Sequence, residues 1–109
     1  MDMVKQYEVY WANLDPTRGS EVRKIRPCVI ISPDDMNSNL STVIVAPVTS
    51  TIRHTYPYRA HCKIAGKKAA IMLDQIRTVD ISRIGNRLDT LQTRVINDVK
   101  SIIERMLIL

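Results

Sequence analysis

The sequence predicts a mainly β chain: a small, strongly curved antiparallel barrel with a C-terminal amphipathic helix closing one face. Three observations lead there. Short apolar runs rich in Val and Ile recur along the first eighty residues, separated by Pro, Gly, Asn and Asp. A single stripe of period 3.6, Leu91, Val95, Val99, Ile102, Ile103, Met106 and Leu107, ends the chain. Phe is absent and Trp occurs once, so the core is built from aliphatic side chains.

Residues 6–14 alternate imperfectly and carry Tyr7, Tyr10 and Trp11, a first strand ended by Asp15-Pro16. A polar loop follows over 16–24. Residues 25–32 form the second strand, with Cys28-Val29-Ile30-Ile31 as its buried run. Pro27 suits a strand's first position and holds Arg26 extended, where a loop meets a rigid strand. Residues 36–40 read as a helical turn or a plain loop, and Asn37-Ser38-Asn39 favours the loop. Residues 42–48 are a third, almost continuously apolar strand, with Pro47 at an edge or bulge. Residues 58–64 alternate as a fourth strand, Ala65-Gly66-Lys67-Lys68 is a tight turn, and 69–73 form a fifth strand. Residues 74–79 continue that strand or kink it into a sixth. Residues 80–85 suit a short helical turn, capped by Asp80 and closed by Gly85. Residues 91–107 are the helix, with Asp89 or Thr90 as its cap.

The 109 residues allow one domain, 1–109, with no need of metal or disulfide to fold. Cys28 and Cys62 lack metal or redox spacing, and Cys28 reads as a core hydrophobe. No carboxylate cluster suggests Mg²⁺, and no metal or cofactor is expected. No signal peptide or membrane-length apolar run is present, so a cytoplasmic protein is expected.

Sixteen Lys and Arg against eleven Asp and Glu leave a net charge of +5, which points to an anionic partner, nucleic acid first. The cations cluster in two stretches: Arg18, Arg23, Lys24 and Arg26 around the lone acid Glu21, and Arg53, Arg59, Lys63, Lys67 and Lys68 with no acid among them. If the second and third strands pair antiparallel, Arg26 faces Thr49-Ser50 across a groove walled by the basic loops 16–24 and 52–59. A bidentate guanidinium, a hydroxyl and a carboxylate suit a phosphodiester. Spacing alone favours plainer accounts: a loop salt bridge, a solvated Thr-Ser edge and a surface Arg26. His61 lies mid-strand and His54 in a basic loop, which gives little support to a two-histidine mechanism.

The ordered motifs carry more. Val9-Tyr10-Trp11-Ala12-Asn13-Leu14-Asp15-Pro16, Gly19-Ser20-Glu21 and Arg26-Pro27-Cys28-Val29-Ile30-Ile31 are followed by Thr42-Val43-Ile44-Val45-Ala46-Pro47-Val48-Thr49-Ser50 and Asp74-Gln75-Ile76-Arg77-Thr78-Val79-Asp80. Together they resemble the MazF/PemK family of toxin–antitoxin endoribonucleases over nearly the whole chain. The resemblance implies an SH3-like barrel, a homodimer, and metal-independent, sequence-specific cleavage of single-stranded RNA to 2′,3′-cyclic phosphate and 5′-hydroxyl ends. It also implies a cognate antitoxin whose acidic flexible tail fills the groove. It assigns catalysis to Arg26, Thr49 and Glu21, and RNA binding to Arg18, Ser20, Ser50, Arg53, Asp74, Gln75 and Arg77.

There are departures: Tyr7-Glu8 replaces the family's Gly-Asp, Ser20 stands where some relatives have histidine, and Met72 where some have arginine. The rival from another class is a CcdB-like, non-enzymatic gyrase inhibitor. Its terminal aromatic dipeptide is missing here, and the chain ends Met106-Leu107-Ile108-Leu109.

Overall fold

The computed structural model describes residues 3–15 and 25–108. Among the described residues there are seven strands: β1 (Glu8–Asn13), β2 (Ile25–Ile30), β3 (Thr42–Thr49), β4 (Arg59–Ile64), β5 (Lys67–Met72), β6 (Arg77–Asp80) and β7 (Ile84–Thr90). Two helices accompany them, α1 (Asp34–Asn39) and α2 (Thr93–Leu107), with single 3₁₀ turns at Leu73–Gln75 and Ile81–Arg83. The strands form one antiparallel sheet in the order β4-β5-β3-β2-β1-β7.

The sheet curls around β3. Thr42 to Val45 pair with β6, while Val48 and Thr49 pair with β5. One continuous stretch thus flanks β3 as β5, kinks through Leu73–Gln75 and returns to the same edge as β6. Of the two alternatives for residues 74–79, the kink into a sixth strand is the one observed. Pro47 lies in the gap between the two paired stretches, where a missing N–H costs no ladder bond. On the other edge Cys28 pairs with Pro47 and Ile30 with Val45. Pro27 is not the first residue of β2, which starts two residues earlier and sets Pro27 opposite Trp11.

Both faces of the curled sheet are buried at its centre, which explains the unbroken apolar runs of β2 and β3. One core lies under α2 and contains Val9, Val29, Ala46, Val48 and Ile71 with Val95, Val99 and Ile102 of the helix. The other contains Ala12, Leu14, Cys28, Ile30, Val43, Val45 and Ile84. Each fully buried aliphatic side chain contributes about 1.5–3 kcal/mol, so α2 is held by its stripe rather than by its ends. Its N-cap, Gln92, makes no side-chain capping bond. Asp89 and Thr90 are therefore not caps. They end β7 instead, and Asp89 Oδ2 accepts from Ala65 N at 2.7 Å, pinning the β4–β5 turn.

Two further expectations are corrected. Residues 34–39 are helical because Asn37 is buried: Ser32 Oγ donates to its Oδ1 at 2.5 Å, and its Nδ2 donates to Ser32 O at 3.0 Å. Ser32 Oγ also accepts from Ile44 N, so this polar knot ties the α1 corner to β3. Asp80 does cap its 3₁₀ turn, accepting from Ser82 N at 2.9 Å, but Gly85 belongs to β7 rather than closing that turn. A Cβ at Gly85 would stand 3.3 Å from Trp11 O, a tight contact with the β1 backbone where β7 crosses it. Among the described residues no helix is long and apolar enough to span a membrane.

Candidate active site

The third strand ends where its apolar run stops, so Thr49 and Ser50 emerge at the rim of the sheet beside the start of β2. Extending the β2–β3 register from Cys28 and Pro47 by two residues sets Arg26 opposite Thr49. The two line one cavity of about 410 Å³ together with Trp11, Pro27 and Ser50. The β4–β5 turn supplies its far wall, including Lys67 and Lys68. A cationic groove joining Arg26 to Thr49 and Ser50 is therefore present, but the expected wall of residues 52–59 is replaced by the β4–β5 turn, and residues 16–24 lie outside the described residues.

Arg26 is half-buried in this wall. Its Nη1 reaches Val48 O only at 3.4 Å, and its buried Nε has no hydrogen-bond partner. An unpaired buried guanidinium N–H is costly, so the fork is poised for an acceptor from outside the protein. Thr49 Oγ1 accepts a bond from Thr51 N at 3.1 Å, which orients the hydroxyl and leaves its proton free to donate. Beneath them Cys28 is fully buried, and its Sγ lies 3.7 Å from Arg26 O. Burial pushes that thiol up to about 12, against the opposing pull of Arg26 and Arg77, so it stays protonated and takes no part as a nucleophile.

The remaining sequence-predicted residues divide by place. Glu21, Arg18 and Ser20 lie outside the described residues. Ser50 lines the cavity; Arg53 is exposed on the segment after β3. Asp74, Gln75 and Arg77 belong to the 3₁₀ turn and β6 and are not among the cavity's lining residues. Asp74 is gripped by Arg59, Nε to Oδ1 at 3.2 Å and Nη2 to Oδ2 at 3.3 Å. Arg77 Nη1 donates to Leu14 O at 3.3 Å. His54 stacks on His61 with ring centroids 4.8 Å apart, which ties it to β4 rather than to the cavity. Among the described residues no three His, Cys, Asp or Glu side chains gather as metal ligands.

Sequence reasoning missed Trp11, Lys67, Lys68 and Leu88 as wall residues. Trp11 is 41% exposed, an aromatic face available to a base, and an outward Trp in a strand motif was the available signal. Leu88 sits on a strand that the sequence did not reveal.

Comparison with known proteins adds to this geometry. The family model described as "PemK-like, MazF-like toxin of type II toxin-antitoxin system" matches residues 5–107. A relative from Staphylococcus saprophyticus named "Endoribonuclease MazF" is 36% identical over 108 residues, covering 94% of this chain and 89% of its own. The crystal structure of MazF (Form-I) from Deinococcus radiodurans superposes with a TM-score of 0.87 at 23% identity, covering 100% of both chains. A MazE-MazF crystal structure (Form-II) from the same organism matches with a TM-score of 0.80 at 20% identity, covering 100% of this chain and 99% of that one.

Proposed function

Because the chain belongs to the family of PemK-like, MazF-like toxins of type II toxin–antitoxin systems, we propose that it is an endoribonuclease that cuts single-stranded RNA at short sequences. The observation that carries this is the half-buried Arg26 guanidinium, with its unpartnered Nε, beside the Thr49 hydroxyl in a cationic cavity.

The ribose 2′-hydroxyl attacks the adjacent phosphorus. The P–O5′ bond breaks, and the products are a 2′,3′-cyclic phosphate and a 5′-hydroxyl. Negative charge grows on the non-bridging oxygens, where Arg26 donates through two N–H groups and Thr49 through its hydroxyl. A guanidinium is a poor base, because it does not readily give up its proton. Glu21, carried over from the family motif, takes the 2′-hydroxyl proton, and a second group returns a proton to the 5′-oxygen. These side chains serve the reaction without a metal ion. Trp11 offers a stacking face, while Ser50, Arg53, Arg18, Ser20, Asp74, Gln75 and Arg77 contribute to holding the chain. The protein works as a cytoplasmic homodimer. The Deinococcus MazF is seen in complex with MazE; the antitoxin of this chain occupies the cationic groove with an acidic flexible tail.

The test is incubation with a long unstructured RNA, and with its DNA counterpart, in EDTA. Wild-type protein cuts the RNA alone and leaves cyclic-phosphate ends. Arg26→Ala slows cutting by at least ~100-fold, the scale of a lost oxyanion donor. Near wild-type cleavage by that variant removes Arg26 from the mechanism; binding without cleavage by the wild type makes the protein an inhibitor instead of an enzyme.

A further inference from the structure

A second basic hollow lies between β4 and α2 and shares no residue with the cavity of Arg26 and Thr49. Its volume is about 300 Å³, and Arg59, His61, Arg94 and Arg105 line it, with Asp98 as the one carboxylate. Three guanidinium groups thus surround a single acid.

Two of the forks are only partly used. Arg59 gives Nε and Nη2 to Asp74 and keeps Nη1. Arg94 gives Nη1 to Asp98 at 3.3 Å and keeps Nε and Nη2. Arg105 makes no ion pair among the described residues, and His61 Nδ1 is buried without a hydrogen-bond partner. The spare guanidinium donors of Arg59, Arg94 and Arg105 meet at one hollow, whose wall also includes His61. A carboxylate has two oxygens and is satisfied by one guanidinium; a phosphate brings a tetrahedral set of acceptors that several forks share.

The polypeptide links this hollow to the first cavity. The segment leaving Thr49 lays His54 on His61 and Tyr56 on Arg59, with the Arg59 guanidinium carbon 4.5 Å from the Tyr56 ring centroid. Tyr56 and Tyr58, both exposed, flank Pro57, which lines the hollow and gives unpaired bases two faces to stack on.

We infer that the hollow framed by Arg59, His61, Arg94 and Arg105 is a phosphate subsite, holding a phosphodiester of the RNA away from the scissile bond. This rests on the endoribonuclease reading and adds a positioning site to it.

The test uses the non-cutting Arg26→Ala protein, a single-stranded RNA pool of random sequence, and NaCl titration of binding. Adding Arg94→Gln and Arg105→Gln weakens binding about 10-fold and makes the slope of log K against log salt shallower by about 0.7 for each phosphate no longer neutralised. In an otherwise wild-type background the same pair raises KM for long RNA with kcat unchanged. Inorganic phosphate shifts the His61 ring resonances of the wild type and not of the double variant. Arg105→Gln alone, at an exposed helix position, gives the same changes in smaller size if the double variant folds poorly. Unchanged RNA affinity and slope overturn the inference. So does a His61 response to phosphate without any effect on RNA, which makes the hollow a site for a small phosphate compound, or weakening confined to an acidic peptide. If wild-type protein neither binds nor cuts RNA, the endoribonuclease reading itself has failed.

Discussion

Thr49 is defined by a single proton. Its oxygen is already occupied as an acceptor by Thr51 N, so its hydroxyl hydrogen points elsewhere, and the cavity offers the charge it would meet. Thr49→Val keeps the shape and removes that hydrogen. RNA cleavage should fall about 100-fold with the melting temperature little changed, a split read by kinetics and thermal unfolding on one preparation.

Glu8 is the residue that replaces a family aspartate, and it is one of the few buried polar side chains. Burial pushes its carboxyl up. Hydrogen bonds from the Tyr10 hydroxyl, the Arg87 guanidinium and Lys5 N outweigh that and hold it below the ordinary carboxylate range. A depressed folded value means stability that is present above the unfolded value, about 4.3, and lost as pH falls through the folded one. Glu8→Gln should therefore melt lower than wild type at neutral pH, and the gap should close as pH drops below about 4. A gap independent of pH would show that the Glu8 charge contributes nothing to folding.

The β4–β5 hairpin is the element most open to improvement. Ile64 pairs with Lys67, leaving a two-residue turn of Ala65 and Gly66, both at positive φ (51° and 79°). Gly66 meets that demand without strain, but Ala65 does not. Ala65→Asn installs the pair that such turns prefer and should raise stability by roughly 0.5–1 kcal/mol, seen as a higher denaturation midpoint. The turn walls the cavity of Arg26 and Thr49, so the same variant shows whether a stiffer wall alters turnover. Tyr7 also sits at positive φ, 69°, where the family motif has glycine. The ladder tolerates it because Tyr7 N donates to Ile30 O and Tyr7 O accepts from Leu91 N.

Charge acts over the whole molecule. Basic side chains line two hollows rather than one, Arg26, Lys67 and Lys68 the first and Arg59, Arg94 and Arg105 the second, in a chain of net charge +5. RNA affinity should fall steeply with salt, with a slope of log K against log salt near −0.7 for each phosphate neutralised on a single strand. A slope near zero in a filter-binding series would mean that the cationic surface does not meet the RNA backbone.

Periodicity alone determined the terminal helix, since its stripe is repeated through four turns and no strand pattern competes with it. The apolar runs likewise determined β2 and β3. Strand β7 was illegible because an edge strand with one buried residue, Ile84, and the turn-like pair Gly85-Asn86 carries no apolar signal. The α1 turn was illegible because its stability comes from a buried Asn37 that bonds Ser32, an interaction no propensity scale encodes. The ordered motifs singled out Arg26 and Thr49. Only the tertiary structure decided that they share a cavity, because that follows from the β2–β3 register, set by which faces are buried. It also decided that Asp74, Gln75 and Arg77 stand outside that cavity's lining. The 3₁₀ turn at Leu73–Gln75 carries the chain from the cavity end of β3 to its opposite end, and sequence spacing does not reveal the direction of a kink.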